Sequence, residues 1–146
     1  MELTGAVDFA RTTRQSVLTT VRGNGRPQLS NVLHHVSDDG VIRISTTADR
    51  AKYRNLSREP WAALHVTRDD FFAYAVLEGD VELTPVATRP DDATVDELVT
   101  HYRALMGEHE NWDAYRDSMV AERRTVVRFR PNRAYGMLVL PPRSGS

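Results

Sequence analysis

Lys52 is the single lysine among nineteen lysine and arginine residues, and it stands two positions after Arg50, where the strand-like run Ser45-Thr46-Thr47 gives way to a helical pattern. Asp49 is placed to cap that helix. The free amides of the first turn, together with Arg50 and Lys52, would then make a site for one phosphate. The hydroxyls of Ser45 and Thr46 at the strand end can donate to oxygen acceptors. A capped surface helix with a solvated basic face satisfies the same sequence, and the arginine bias of the whole chain makes one lysine weak evidence by itself. Arg50, Arg54 and Arg58 recur at i, i+4 and i+8, a basic stripe along one side of the helix, with Tyr53 and Leu56 on the opposite, core-facing side. A solvent-facing row is the plain account of the stripe, and it suits Arg58, which precedes Glu59.

Other chemistries fall away on residue type and spacing. The chain has no cysteine, which excludes disulfides, thiolate zinc sites and a cysteine nucleophile together. His34 and His35 are adjacent on a strand and point oppositely, and His101 and His109 lack a third ligand, so metal binding is not indicated. Gly23-Asn24-Gly25 is a hairpin turn rather than a phosphate loop. Ser16, Ser30 and Ser45 lie outside any nucleophile-elbow sequence. The pairs Asp38-Asp39, Asp69-Asp70 and Asp91-Asp92 sit in turns or at a helix start, where cap and turn preference explain them. His34 reads as a satisfied strand histidine, with a role as pocket proton donor as the sharper alternative.

At 146 residues the chain is one domain of ordinary size. A net charge of -1 and a pI near 6.5 give no global basic field, so nucleic acid and anionic membrane are not expected partners and any anion site must be local. No signal peptide and no apolar run of membrane-spanning length is seen, so a soluble, cytoplasmic protein is expected.

The elements that must position Lys52 are mostly strands. A short helix over Ala6 to Arg14 precedes strands at Gln15 to Arg22, Pro27 to Ser37 and Val41 to Thr47, joined through Asn-Gly and Asp-Gly turns as three successive antiparallel strands. The helix at Arg50 to Arg58 is followed by strands at Trp61 to Thr67 and Phe72 to Pro85, the latter bending or bulging at Gly79. Pro90-Asp91-Asp92 starts a helix with apolar positions Val95, Leu98, Val99, Tyr102, Leu105 and Met106, ending at Gly107. A second helical piece runs from Trp112 to Arg123, and strands return at Thr125 to Arg130 and Ala134 to Leu140 before a frayed tail over 141–146. Six or seven short strands, mostly in hairpins, predict a small antiparallel barrel with helices, because closure covers their edges. Phe72 and Tyr74, in the buried-strand pattern Phe71-Phe72-Ala73-Tyr74-Ala75-Val76, read as core.

Gly25-Arg26-Pro27-Gln28-Leu29-Ser30-Asn31-Val32, Ile44-Ser45-Thr46-Thr47, Arg50 to Leu56, Tyr74-Ala75-Val76 and Glu78-Gly79, in this order and spacing from about Gln15 to Gly136, resemble the pyridoxamine 5'-phosphate oxidase-like split-barrel flavoproteins. The chain is more closely similar to the actinobacterial branch that uses the deazaflavin coenzyme F420, whose helical insertion is matched by Tyr102-Arg103, Gly107-Glu108-His109 and Trp112 to Arg116. The resemblance implies a mainly β, antiparallel split β-barrel of the FMN-binding type over residues 1–146, with a helical insertion at about 91–122, and a homodimer with two sites. It implies that Gln28, Ser30 and Asn31 contact the ring edge, with Gln28 and Ser30 on one strand face and Asn31 on the other. It also implies that Ser45 and Thr46 lie near the ribityl chain and phosphate, and that Arg50 and Lys52 anchor the phosphate, with Ala51 and Asn55 of the same segment among the cofactor-binding positions. Phe72 and Tyr74 are implied to pack at the dimer interface on the partner's cofactor. The basic stripe could hold the coenzyme's oligoglutamate tail, which FMN lacks. The implied activity is F420-dependent hydride transfer to an electron-poor small molecule, the alternatives being an FMN-dependent oxidase or reductase and a non-catalytic F420 carrier.

Overall fold

The computed structural model describes residues 1–138. Its elements are α1 (Leu3–Ala10), β1 (Gln15–Val21), β2 (Pro27–Leu33), β3 (His35–Val36), β4 (Ile42–Thr47), α2 (Ala51–Arg58), β5 (Trp61–Thr67), β6 (Tyr74–Leu83), α3 (Ala93–Met106), α4 (Trp112–Ala121) and β7 (Arg124–Met137). The seven strands form one antiparallel sheet in the order β2-β1-β5-β6-β7-β4-β3. The expected strand over Pro27 to Ser37 is therefore two strands, and they lie at opposite ends of the sheet order. Only His34 separates them, so the sheet must curl until its two edges meet there. At the break, groups far away in sequence hold His34. The His34 ring turns inward, with Nε2 donating to the Ala10 carbonyl at 2.9 Å and Nδ1 facing Ser16 Oγ at 2.7 Å, while its backbone amide donates to Arg14 O.

Alternation along the strands divides the apolar residues between two clusters. Val127 and Phe129 of β7 face the interior of the curled sheet with Leu18, Ile42, Ile44, Leu64 and Leu77, and α1 closes that core with Ala6 and Ala10. Val126 points the other way, under Val95, Leu98 and Val99 of α3 and Met119 of α4. Burial of each such aliphatic side chain contributes about 1.5–3 kcal/mol. The helices between β6 and β7 thus cover the outer face of β7 and β4.

The hairpin signals hold: the β1–β2 turn closes with Gly25 at φ 84°. Gly79 holds a close approach, with the extra residue of the irregularity, Asn132, on the facing strand β7. A Cβ at Gly79 would lie 2.1 Å from the Arg130 carbonyl oxygen and 2.6 Å from Pro131 Cα. The two strands expected at the C-terminal side are the one strand β7, and Val139, Leu140 and the expected tail lie outside the described residues. α1 begins and ends earlier than expected, because Arg11 through Arg14 leave the helix to reach β1.

Two further expectations are corrected. Asp49 is not the cap of α2: Arg50 occupies the N-cap in an extended conformation with no side-chain cap, and the Asp49 carboxylate instead accepts from the Thr47 hydroxyl. Phe72 is not in the strand, since a turn over Arg68 to Ala73, with Phe71 at φ 72°, delays β6 to Tyr74. Nor are Phe72 and Tyr74 core: Phe72 is 68% exposed, beside Phe71 at 80%, and Tyr74 is also exposed, its ring edge against His65.

Candidate functional site

Where β2 and β4 part, a cleft of about 530 Å³ opens between them and the helices α3 and α4. Its basic end is built by three elements. Arg50 and Lys52 come from the start of α2, and Arg124 comes from the start of β7, which the β4–β7 register sets opposite Thr47. Among the described residues no carboxylate lines the cleft. Lys52 is half-buried, and burial first, then the nearby Arg50 and Arg124 charges, pull its pKa below the ordinary lysine value. Among the described residues neither Arg50 nor Lys52 has an acidic partner, whereas Arg124 is held by Glu122 at 3.0 Å and donates to Ser45 Oγ at 3.3 Å. Three clustered cations that disfavour one another are stabilised by an anion, and the uncapped first turn of α2 adds backbone amides at the same place.

The opposite wall is apolar and aromatic. Tyr102 and Tyr115 line it, and with His109 and Trp112 they form a cluster whose six ring pairs all lie 4.9–5.7 Å apart. Tyr115 is fixed by donation to the Leu98 carbonyl, and burial pushes its phenol up to about 12, so it stays a neutral donor. Leu33, Leu105 and Met119 complete a surface suited to a flat body.

Of the expected site residues, Asn31, Ser45, Thr46, Arg50 and Lys52 come together in this cleft. Thr46 Oγ1 is buried with no hydrogen-bond partner among the described residues, an unmet polar group such as a ligand would satisfy. Ala51 is exposed at the first helical position and presents only its backbone there. Gln28, Ser30 and Asn55 do not line the cleft. Asn55 donates to Thr20 Oγ1 at 3.1 Å, and Thr20 donates to Gln28 Oε1 at 3.2 Å, a chain that ties α2 to β1 and β2; Ser30 shares the Gln28 face, and its hydroxyl is buried without a partner. Phe72 and Tyr74 do not line the cleft either. The stripe Arg50, Arg54, Arg58 is not uniform: Arg54 donates to Asp49 O and Arg58 to Val21 O, which leaves Arg50 unengaged among the described residues. His34 is satisfied at both ring nitrogens and lies away from this cleft.

A larger cleft, about 720 Å³, lies between α1, β1 and the end of α3, lined by Arg11, Arg14 and His35. Its arginines are already engaged, Arg11 with the Ser37 carbonyl and Arg14 with that of Leu105, so it offers less to an anion. Among the described residues no group of three His, Cys, Asp or Glu is placed to hold a metal ion, and no helix is long and apolar enough to cross a membrane.

Arg124, His101, Tyr102 and Tyr115 had no local signal as site residues. The only hint was the match of Tyr102 and Tyr115 to a helical insertion. Arg124 is brought to the strand end beside Ser45, with which it bonds across 79 positions of sequence.

A curled antiparallel sheet parted along one seam, with a cleft bearing Arg50, Lys52 and Arg124 at the seam, defines a split-barrel protein. The chain belongs to the pyridoxamine 5'-phosphate oxidase family, whose model matches residues 5–138. Among solved structures it is similar to an F420 reductase at 26% identity, covering 90% of this chain and 96% of that one with a TM-score of 0.63. A conserved hypothetical protein from Mycobacterium tuberculosis aligns over 100% of this chain and 92% of its own at TM-score 0.74 and 22% identity. An FMN-binding, pyridoxamine 5'-phosphate oxidase-related protein from Nostoc punctiforme aligns over 92% and 81% at TM-score 0.57 and 16% identity. The last two share the fold.

Proposed function

We propose that the protein is a coenzyme F420-dependent reductase acting on an electron-poor small organic acceptor, working as a homodimer in the cytoplasm. The observation that carries this reading is the pair Arg50 and Lys52, with no acidic partner among the described residues, joined by Arg124 beside the unmet Thr46 hydroxyl at one end of a cleft with an aromatic wall. The similarity to an F420 reductase supports the deazaflavin as the cofactor, with FMN the alternative. When bound, the reduced deazaflavin supplies the hydride.

The chain's own residues then bind, orient and exclude water. Arg50, Lys52, Arg124 and the first-turn amides of α2 hold anionic groups, and the hydroxyls of Ser45 and Thr46 donate to oxygens of the linker. Asn31 borders the ring edge, while Gln28 and Asn55, joined through Thr20, hold β2 and α2 in place behind it. Tyr102 and Tyr115 close the side of the cleft against water. The exposed group Phe71, Phe72, Tyr74, Tyr135 and Met137, at one end of the β6–β7 pair, supports a self-association surface.

Fluorescence titration of the purified protein with F420 and, separately, FMN at two salt concentrations tests the reading, with sedimentation velocity for the dimer. Tight F420 binding that weakens with salt, followed by acceptor-dependent oxidation of the reduced coenzyme, is expected. Preference for FMN would favour an FMN-dependent oxidase or reductase. Binding of F420 without turnover across quinones and enones would favour a carrier.

A further inference from the structure

α3 brings into the cleft one polar group that the cations and the aromatic wall do not account for. His101 is 5% exposed and lines the cleft beside Tyr102, yet its Nδ1 is sealed from solvent and makes no hydrogen bond among the described residues. The charged and titratable groups facing it are Glu97 on its own helix, His34 and His35 at the β2–β3 junction and Arg43 on β4. Glu97 is already occupied by Arg43 and Arg128, so it gives the ring no partner. Burial, reinforced by His35 and Arg43, lowers the imidazole pKa to about 4, and the ring is neutral at pH 7. One nitrogen then carries the hydrogen. An N–H sealed in the interior without an acceptor is the costlier arrangement, so the hydrogen belongs on Nε2.

We propose that His101 is a ligand-contacting residue that presents Nε2–H to a carbonyl oxygen or ring nitrogen of a planar heterocycle seated against Tyr102 and Tyr115. This rests on the cleft being the cofactor site. The division of labour follows from the chemistry of the groups: the cations fix the anionic end of the ligand, and an uncharged donor fixes the rotation of its ring without protonating it. A neutral imidazole donor suits a site that already carries three positive charges, because a fourth would add repulsion.

Long-range ¹H–¹⁵N correlation spectra of the full-length protein read the tautomer and the contact directly, with F420 and FMN each added in turn. The expected result is that His101, identified by its absence from the spectrum of His101→Gln, is in the Nε2–H form through neutral pH, as His34 also is, and that the His101 Nε2 resonance moves when the cofactor binds. His101→Leu is expected to weaken cofactor binding about tenfold, as for loss of one neutral hydrogen bond, and His101→Gln to recover most of it through its amide N–H. If F420 binds to the wild type with the Nε2 resonance unmoved, or binds His101→Leu undiminished, the role of His101 is overturned and the cofactor reading stands. If FMN alone binds and the resonance moves, the F420 reading falls and His101 keeps its role. Binding of neither overturns both. Should His101→Leu fail to fold, the wild-type resonance decides.

Discussion

Replacing Glu97 by Gln removes the charge with which α3 is held to the sheet. Glu97 Oε2 accepts from Arg43 Nε of β4 and from Arg128 Nε of β7, both at 2.9 Å, and Oε1 accepts from Arg128 Nη2 at 2.5 Å. The Glu97 side chain is 18% exposed, against 24% and 30% for the two arginines. Glutamine keeps one acceptor oxygen but turns an NH₂ towards a guanidinium and leaves two cations side by side. Breaking a fully buried ion pair costs about 3–5 kcal/mol; the partial exposure here reduces this to about 2–3 kcal/mol. For a chain of this length that is a fall of about 6–12 °C in the melting midpoint.

The pH dependence gives the reasoning a second check. The Arg128 guanidinium holds the Glu97 carboxyl below its ordinary value of 4.5, against the opposing effect of burial and with help from Arg43. A depressed carboxyl contributes stability that is fully present above its unfolded pKa and is lost as pH falls through the folded one. Urea melts of wild type and Glu97→Gln from pH 7 downward should therefore converge below pH 4.5. A difference under about 0.5 kcal/mol at pH 7, or one undiminished down to the acid-unfolding limit, would refute the assignment.

Lys52→Met should lower F420 affinity more than tenfold while leaving the melting midpoint unchanged or higher. Since burial, Arg50 and Arg124 depress the folded pKa, the ammonium opposes folding at neutral pH, and that opposition fades as pH rises towards 10.5; a midpoint lowered by several degrees would contradict this. Gly79→Ala should cost about 3 kcal/mol or more in urea unfolding, because both the Arg130 carbonyl and Pro131 Cα that its methyl meets are backbone. Asp92→Ala should cost about 1–2 kcal/mol, since Asp92 Oδ1 caps α3 through Val95 N at 2.8 Å while Oδ2 takes the Thr88 and Arg89 amides; Asp92→Asn should restore only the part due to the cap in the same melt, because its NH₂ cannot accept from those two amides.

Local chemistry made much of the frame legible in the sequence. The Asn-Gly and Asp-Gly turns, the start of α3 at Asp92 and its stop at Gly107 depend on residues within a few positions of one another, and they fall where expected. Arg50 and Lys52 were legible as neighbouring cations for the same reason, since one helix start contains both, and they line one cleft. Asp49 misled because Thr47 competes for its carboxylate. Phe72 and Tyr74 misled because alternation says which residues share a face and is silent on whether anything covers that face. The break at His34, the arrival of Arg124 beside Lys52 and the delivery of His101, Tyr102 and Tyr115 to the cleft were decided only by the tertiary structure. Each depends on registers set by core packing between segments far apart in the chain, and no local preference encodes a register.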